Sequence, residues 1–280
     1  MIIALVICVL LILIWFLRNY CVLHTRNLQR AQRFYEVTKV YPELRNINHA
    51  AVKREVGNLL NNNKQWVDWP EKNLWDPGYT GASWTVFPLI AFGKRVDRNC
   101  AQVPVVMEFI ERMDREYGVR IALLSRLGPG MKLVPHQGWG AHSNSVLRCH
   151  YGVFVPSADT SNGKIRDCRI EVADEIMDKC SDCSADGGST DGKNVGEGTG
   201  CEGTGCDKCY DGYVYEFRQH RDGEWIVFDD SKMHLAENNT SGERIVLILD
   251  LTRPRCVPAG TSTIEDTTEL KSMIAEHEKK

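Results

Sequence analysis

From Ile121 onward the chain breaks into short runs of apolar and β-branched residues parted by turn residues: IALLSRL, MKLVPH, VLRCHYGVFV, CRIEV, YVYEFRQ, WIVFDD and RIVLILDLT. Runs this short and closely spaced point to an antiparallel sandwich or small barrel rather than a parallel α/β sheet. Upstream the pattern is helical. Residues 50–60 (AAVKREVGNLL) and 103–117 (VPVVMEFIERMDREY) carry apolar residues at helical spacing, with Pro104 suited to a first turn and Gly118 to a C-cap. Residues 66–93 read as loop with strand near Trp84–Ala91. Helices first and strands later predict an α+β fold.

The N-terminus carries a different signal. Residues 2–17 are sixteen uninterrupted apolar residues, and with Arg18 snorkelling they extend to residue 23, which predicts a transmembrane anchor over residues 1–23. A cleaved signal peptide fits less well, because no basic residue precedes the run and bulky Trp15, Phe16 and Leu17 close it. Arg18, Arg26, Arg30 and Arg33 all follow the run, so a single-pass membrane protein with a cytoplasmic body is expected, the lumen of the endoplasmic reticulum being the alternative. Glycosylation acceptors at Asn238 and Asn239, beside a candidate site, agree with the cytoplasm. Residues 24–40 are expected to form a juxtamembrane helix that Tyr41-Pro42 stops. Composition excludes a disordered chain or a multispanning transporter, and a formal charge of −3 gives no footprint of nucleic-acid binding.

Eleven cysteines are present, and five of them, Cys180, Cys183, Cys201, Cys206 and Cys209, fall within thirty residues of a Gly-, Ser- and Asp-rich insert at residues 173–210. The odd total and the scattered remainder do not read as a disulfide framework. Cys180-Ser-Asp-Cys183 and Cys206-Asp-Lys-Cys209 form a CxxC…CxxC pair able to hold a structural zinc, with Cys201 as a substitute ligand; two disulfides or reactive thiols are the alternatives. The stretch is similar to the zinc-binding cysteine-rich repeats of the DnaJ co-chaperones over some thirty residues. Its place between two candidate site strands suggests substrate docking. The polar tail at residues 257–280 is expected to be a loose helix and is given no chemistry, and no repeat of solenoid length is present.

His150, within LRCHYGVFV, and His234, just after WIVFDD, are placed to converge on one interior metal from neighbouring strands. Neutral imidazoles suit Fe, Zn, Cu or Ni. The segments MKLVPHQGWGAHSNSVLRCHYGVFVP, CRIEV, GEWIVFDDSKMHLAENNTSGERIVLILDLTRP and YPELRNINHAAVKREVGNLL closely resemble the aspartyl/asparaginyl β-hydroxylase family. That family includes enzymes acting on Asp or Asn in protein domains and bacterial relatives acting on the acyl chain of lipid A. The resemblance spans about residues 41–255 apart from the insert. It implies a double-stranded β-helix, a jelly-roll or cupin-like barrel over residues 41–256, with Fe(II) as cofactor and 2-oxoglutarate and O2 as cosubstrates.

Carried over residue by residue, the resemblance makes His150 and His234 the iron ligands. Gly152 stands where the usual His-x-Asp/Glu triad has its carboxylate, as it does in this family, and Asp230 matches the acidic partner of the water in the vacant position. Arg244 matches the residue that pairs with the distal carboxylate of 2-oxoglutarate, a role that suits a planar guanidinium. Arg169 matches a second arginine near the cosubstrate, and Arg148 and His136 stand in family-like pocket positions, which the resemblance counts with the cofactor-binding residues. The resemblance therefore implies a membrane-anchored dioxygenase hydroxylating a C–H of a protein Asp or Asn side chain or a related lipid substrate. The rivals are a non-catalytic binding module that recruits a protein through the cysteine insert, and a zinc or iron cupin of other chemistry.

Overall fold

A computed structural model of the chain describes residues 32–62, 66–75, 83–161, 164–175, 209–210, 213–268 and 272. The expected anchor at residues 1–23 lies outside these residues, as do Cys180, Cys183, Cys201 and Cys206 of the expected zinc site. Among the described residues no helix is long and apolar enough to cross a membrane, and no group of three or more His, Cys, Asp or Glu is placed to hold a metal.

The strands are β1 (Phe34–Tyr35), β2 (Val67–Asp68), β3 (Trp84–Ala91), β4 (Lys94–Arg95), β5 (Val119–Leu127), β6 (Val146–Phe154) and β7 (Asp159–Ser161), followed by β8 (Lys164–Arg166), β9 (Cys168–Glu175), β10 (Cys209–Tyr210), β11 (Tyr213–Gln219), β12 (Trp225–Phe228), β13 (His234–Asn238) and β14 (Arg244–Thr252). The larger sheet runs β1-β12-β6-β14-β5-β3-β2 with β4 on β3; the smaller runs β10-β11-β9-β13; β7 and β8 form a hairpin. Residues 131–136, expected as a full strand, lie along β13 through isolated bridges: Leu133 N donates to Ala236 O at 2.9 Å, and His136 and His234 exchange both backbone bonds. Pro135 removes one donor from that run, which breaks its ladder.

With this run counted, the core strands pair as a nest. β5 pairs with β14, residues 131–136 with β13, β6 with β12, and β9 with β11, so the first pairs with the last and each inner pair lies inside the one before. Folding such a nest into two facing sheets produces a jelly roll and closes the apolar faces on each other.

Strand alternation sorts the two sides of the larger sheet. Leu147, Cys149, Tyr151 and Val153 of β6, with Ile245, Leu247, Leu249 and Leu251 of β14, pack outward into a cluster under two helices, α1 (His49–Asn62) and α2 (Pro104–Tyr117). Val52, Val56 and Leu59 of α1 and Val106, Phe109, Ile110 and Met113 of α2 supply the apolar stripes, and each such side chain fully buried contributes about 1.5–3 kcal/mol. Glu55 on α1 accepts from Val105 N and Val106 N at 2.8 and 2.9 Å, satisfying donors at the start of α2 that have no intrahelical partner. Gly118 ends α2 at φ 72°, a conformation that favours glycine. The alternate residues Arg148, His150 and Gly152 of β6 and Arg244, Val246, Ile248 and Asp250 of β14 face the smaller sheet. Ile170, Val172, Ala236, Phe228, Val246 and Ile248 form the second core there.

Two expectations change. Residues 24–40 are not one helix as far as they are described: Phe34 and Tyr35 pair with Phe228 and Val227 as an edge strand, and only Val37–Val40 is helical. Pairing with β12 makes Phe34 and Tyr35 a strand, and Tyr35 and Val40 are buried in the cluster under the helices. The start of the polar tail is packed rather than loose. Ser262 Oγ donates to Gly138 O at 2.5 Å, and Ile264 O accepts from Gly140 N at 2.8 Å, so the tail supplies partners for backbone that is otherwise buried.

Candidate active site

His150, on the inner face of β6, and His234, the first residue of β13, come to the same aromatic ring, Phe228, at centroid distances of 5.0 and 5.5 Å. Each has its Nδ1 engaged. His234 Nδ1–H donates to Lys232 O at 2.8 Å, and His150 Nδ1 lies 3.1 Å from His220 Nε2. The His150 Nε2 atom is buried and has no hydrogen-bond partner among the described residues. Burial is the largest influence on both rings. It lowers His234 to about 4, and lowers His150 well below the ordinary value with help from His220 and Arg244, so both are neutral imidazoles, the form that binds metals. His136 lies 4.3 Å from His234 between ring centroids, tilted by 55°, with its Nδ1 on Val134 O, and burial followed by His234 lowers it to about 3. The structure thus brings His136, His150 and His234 into one region, although they come from three separate segments.

Asp230 stands beside His234, with Oδ1 3.4 Å from Nε2. Its other neighbour is Arg148, whose Nη1 lies 2.6 Å away, yet neither Asp230 oxygen has a partner in hydrogen-bond geometry among the described residues. Charge proximity without aligned hydrogen bonds leaves these lone pairs available. Burial raises the Asp230 pKa, and Arg148 works against it. Arg148 is committed elsewhere: Nε and Nη2 form a fork onto Asp250 at 2.8 and 2.7 Å, and His142 Nε2 meets the same carboxylate at 2.7 Å. Burial would raise Asp250, but Arg148 and His142 hold it well below the ordinary carboxylate value. Arg148, expected to contact a cofactor, therefore bridges two carboxylates and positions Asp230.

Arg244 has the opposite situation. It is 2% exposed, it faces the interior at the start of β14, and its Nε and Nη1 have no partner among the described residues. Burial lowers it to about 10, with Cys168 acting weakly the other way, and it remains charged at neutral pH. A buried guanidinium without a carboxylate is costly, and an anion between the sheets would relieve that cost.

Arg169, expected near the cosubstrate, is turned away. His234 pairs with Val172 across β13 and β9, whereas Arg169 pairs with Glu237, so alternation puts Arg169 on the opposite face of the sheet from His234. There it is held by Glu237 and Glu171 and stacks on Phe217. Gly152 is explained by packing. A Cβ there would collide with the backbone carbonyl of Arg221, because the turn at residues 221–223 lies directly on β6 and Gly223 N donates to Gly152 O at 2.8 Å. The position has no room for a third metal-binding side chain.

His220, His142 and Asp250 were not singled out from sequence. His220 precedes the Arg221-Asp222-Gly223 turn that leads into β12, and the pairing of Ile226 with His150 fixes how that turn meets β6. The turn signal was readable; its partner strand was not. Asp250 sits inside an apolar strand, where an isolated acid is the sequence mark of a buried pair.

The aspartyl/asparaginyl beta-hydroxylase family profile matches residues 46–180 and 207–254, more than half of the 280 residues. An ornithine lipid ester-linked acyl 2-hydroxylase from Rhizobium tropici is 24% identical over 180 residues, which is 64% of this chain and 45% of that protein, so the chain spans less than half of its relative. Among solved structures, a Pseudomonas putida prolyl-4-hydroxylase aligns at TM-score 0.37 and 9% identity over 74% of this chain and 89% of its own. A 2OG-Fe(II) oxygenase family oxidoreductase from Burkholderia pseudomallei aligns at TM-score 0.39 and 11% identity over 75% and 80%. A Trichoplax adhaerens prolyl hydroxylase aligns at 0.40 and 8% over 73% and 78%. These scores are too low to carry an argument, and the fold rests on the nested strand pairing.

Proposed function

The chain belongs to the aspartyl/asparaginyl beta-hydroxylase family, and on that premise we propose that it is an Fe(II)- and 2-oxoglutarate-dependent dioxygenase that hydroxylates an unactivated C–H. The observation that carries this reading is Arg244, a buried guanidinium without a carboxylate partner among the described residues, on the inner face that also holds the unpartnered Nε2 of His150. Two neutral imidazoles and a fixed arginine fit a ferrous ion and a dicarboxylate. When bound, iron supplies the oxidative chemistry in which 2-oxoglutarate, O2 and the substrate C–H become succinate, CO2 and an alcohol.

The protein's part is placement. His234 and His136, with ring centroids 4.3 Å apart and both Nδ1 atoms fixed on backbone carbonyls, are the pair that would hold the metal through Nε2, and His150, expected from the sequence as a ligand, turns an unpartnered Nε2 into the same interior. Asp230, kept in place by Arg148, accepts a hydrogen bond from a water beside His234. Arg244 grips the distal carboxylate, and the second core around Phe228 and Ile248 excludes bulk water. The C–H belongs to a protein Asp or Asn side chain or to a lipid acyl chain. The named activity of the Rhizobium relative and the apolar run at residues 2–17 favour the acyl chain at a membrane surface, with the run as anchor, the body in the cytoplasm and the cysteine insert holding zinc beside the site mouth.

The test is the visible charge-transfer band of the ferrous 2-oxoglutarate chelate, recorded without oxygen. The band is expected in the purified protein, absent in His234→Ala, and shifted to at least tenfold higher cosubstrate in Arg244→Ala. A folded, iron-loaded protein without the band overturns the reading and leaves the binding module or a cupin of other chemistry.

A further inference from the structure

The family profile stops at residue 254, yet the segment that follows is bonded into the candidate site. Residues 258–267 run as a strap across two connections, residues 136–140, which lead away from His136, and residues 229–234, which lead to His234. On the second connection Thr261 N donates to Ser231 Oγ at 3.2 Å, and Ser231 Oγ donates in turn to Asp229 Oδ1 at 2.6 Å. On the first, Ile264 O accepts from Gly140 N at 2.8 Å. Between these bonds lies Ser262, buried, with its backbone N and O both clamped by the Asn144 amide at 2.8 and 2.9 Å. Thr267 Oγ1 ties the end of the strap to Glu71 at 2.9 Å, a buried carboxylate that also accepts from the indoles of Trp69 and Trp139.

The Ser262 hydroxyl has one proton and uses it on the site. Its Oγ donates to Gly138 O at 2.5 Å and accepts from Ile264 N at 3.2 Å; Ser143 Oγ donates to the same Gly138 oxygen at 3.1 Å. Gly138 is where the two connections touch. Its N–H donates to Asp230 O at 2.8 Å, and a Cβ on it would fall 2.0 Å from Asp230 Oδ2, so the carboxylate rests directly on the glycine. Beside it Gln137 Nε2 donates to Ser231 O at 3.0 Å. Asp230 Oδ1 lies 3.4 Å from His234 Nε2, and His136, two residues before Gly138, exchanges both backbone bonds with His234. Ser262 therefore holds the peptide against which His136, Asp230 and His234 are set.

We propose that Ser262 is a positioning residue of the metal site: by fixing Gly138 it sets the Asp230 carboxylate against His136 and His234, and the strap makes a segment outside the family profile part of the active centre. This rests on the iron reading above, with His136 and His234 as the pair that hold the metal. A site whose supports are in place before the ion arrives binds it more tightly, so loosening the strap acts on metal binding rather than on folding.

The test uses the full chain with Co(II) alone as the probe. Ser262→Ala leaves Gly138 O its bond from Ser143, so the protein is expected to fold and to bind Co(II) about 10–100-fold more weakly, with an altered visible spectrum of the ion. In the metal-free protein the amides of His136 and Gly138 are expected to exchange hydrogen faster than in the wild type, while those of β6 do not change. Asn144→Ala, which releases the strap backbone, is expected to weaken Co(II) as well, and adding Ser262→Ala to it is expected to weaken binding by less than about a further twofold, because both act through one strap. Tyr41→Phe separates positioning from stability. Its hydroxyl donates to Thr252 O at 2.9 Å on the outer side of the larger sheet, so its loss is expected to lower the melting temperature by about 2–4 °C and leave Co(II) affinity and spectrum unchanged. Wild-type Co(II) affinity and spectrum in folded Ser262→Ala, or an equal loss of affinity in Tyr41→Phe, overturns the proposal; should Ser262→Ala fail to fold, Asn144→Ala decides by the same criteria. A wild-type chain that binds no Co(II) overturns the iron reading and this inference together, whereas wild-type binding that the strap variants leave unchanged overturns this inference alone.

Discussion

The two ends of β14 each bring a buried arginine into the protein, and the two are treated in opposite ways. At one end Arg253, just past the strand, forks onto Asp229 at 2.9 and 2.7 Å and also donates to Pro258 O and Ser143 O. At the other end Arg244 has two unpartnered nitrogens among the described residues. The strand between them is buried from Arg244 to Leu251. A compensated charge is structural material, whereas an uncompensated one is a cost the fold carries until a ligand arrives. Asp250 and Arg148 belong to the first kind, and His150 Nε2 and His220 Nδ1 to the second.

The most disruptive way to break this comparison is Arg253→Met, which leaves Asp229 ionised and buried without its partner. It is expected to cost about 3–5 kcal/mol, read as a lower urea midpoint. Should it cost less than about 1 kcal/mol, the pair is not structural. Arg244→Met sharpens the contrast from the other side. Removing a charge that has no protein partner is expected to leave the melting temperature unchanged or higher, while 2-oxoglutarate binds about 100-fold more weakly, equivalent to about 2.7 kcal/mol. A destabilised Arg244→Met protein would mean the guanidinium is already compensated. Gly152→Asp is next. Its side chain meets the Arg221 carbonyl, so a loss of about 1–3 kcal/mol is expected, with no gain in iron affinity to indicate a third ligand. The smallest effect is expected at the half-exposed pair of Arg126 and Glu243, where Arg126→Ala should change stability by about 0–1 kcal/mol and less in high salt.

Legibility followed the range of the interaction. Helices α1 and α2 and strand β3 were readable because periodicity, Pro104 and Gly118 act within a few residues. His150, His234, Asp230 and Arg244 were reached through their motifs, and all four lie in the interior between the sheets. Arg169 was misplaced because one residue of register decides the face of a strand, and an inserted loop precedes β9. β13 was missed because HLAEN lacks β-branched residues, and it is a strand only through its bonds to β9 and residues 131–136. The tail looked loose because its hydrogen-bond partners, Gly138 and Gly140, are more than a hundred residues away.

The sequence by itself determined that the second half is an antiparallel β domain behind two amphipathic helices, whereas His150, His234 and Arg244 were named as site residues through the family resemblance. The helices and strands follow from side-chain period and from local residue types. Only the tertiary structure decided which charges were compensated: that Arg148 is taken by Asp250 and Asp230, that Arg253 is taken by Asp229, that Arg169 faces outward, and that His220 lies against His150. The physical reason is that hydrogen bonding and desolvation depend on atoms within a few ångströms, and the nested pairing of the strands brings those atoms from segments that can be more than a hundred residues apart.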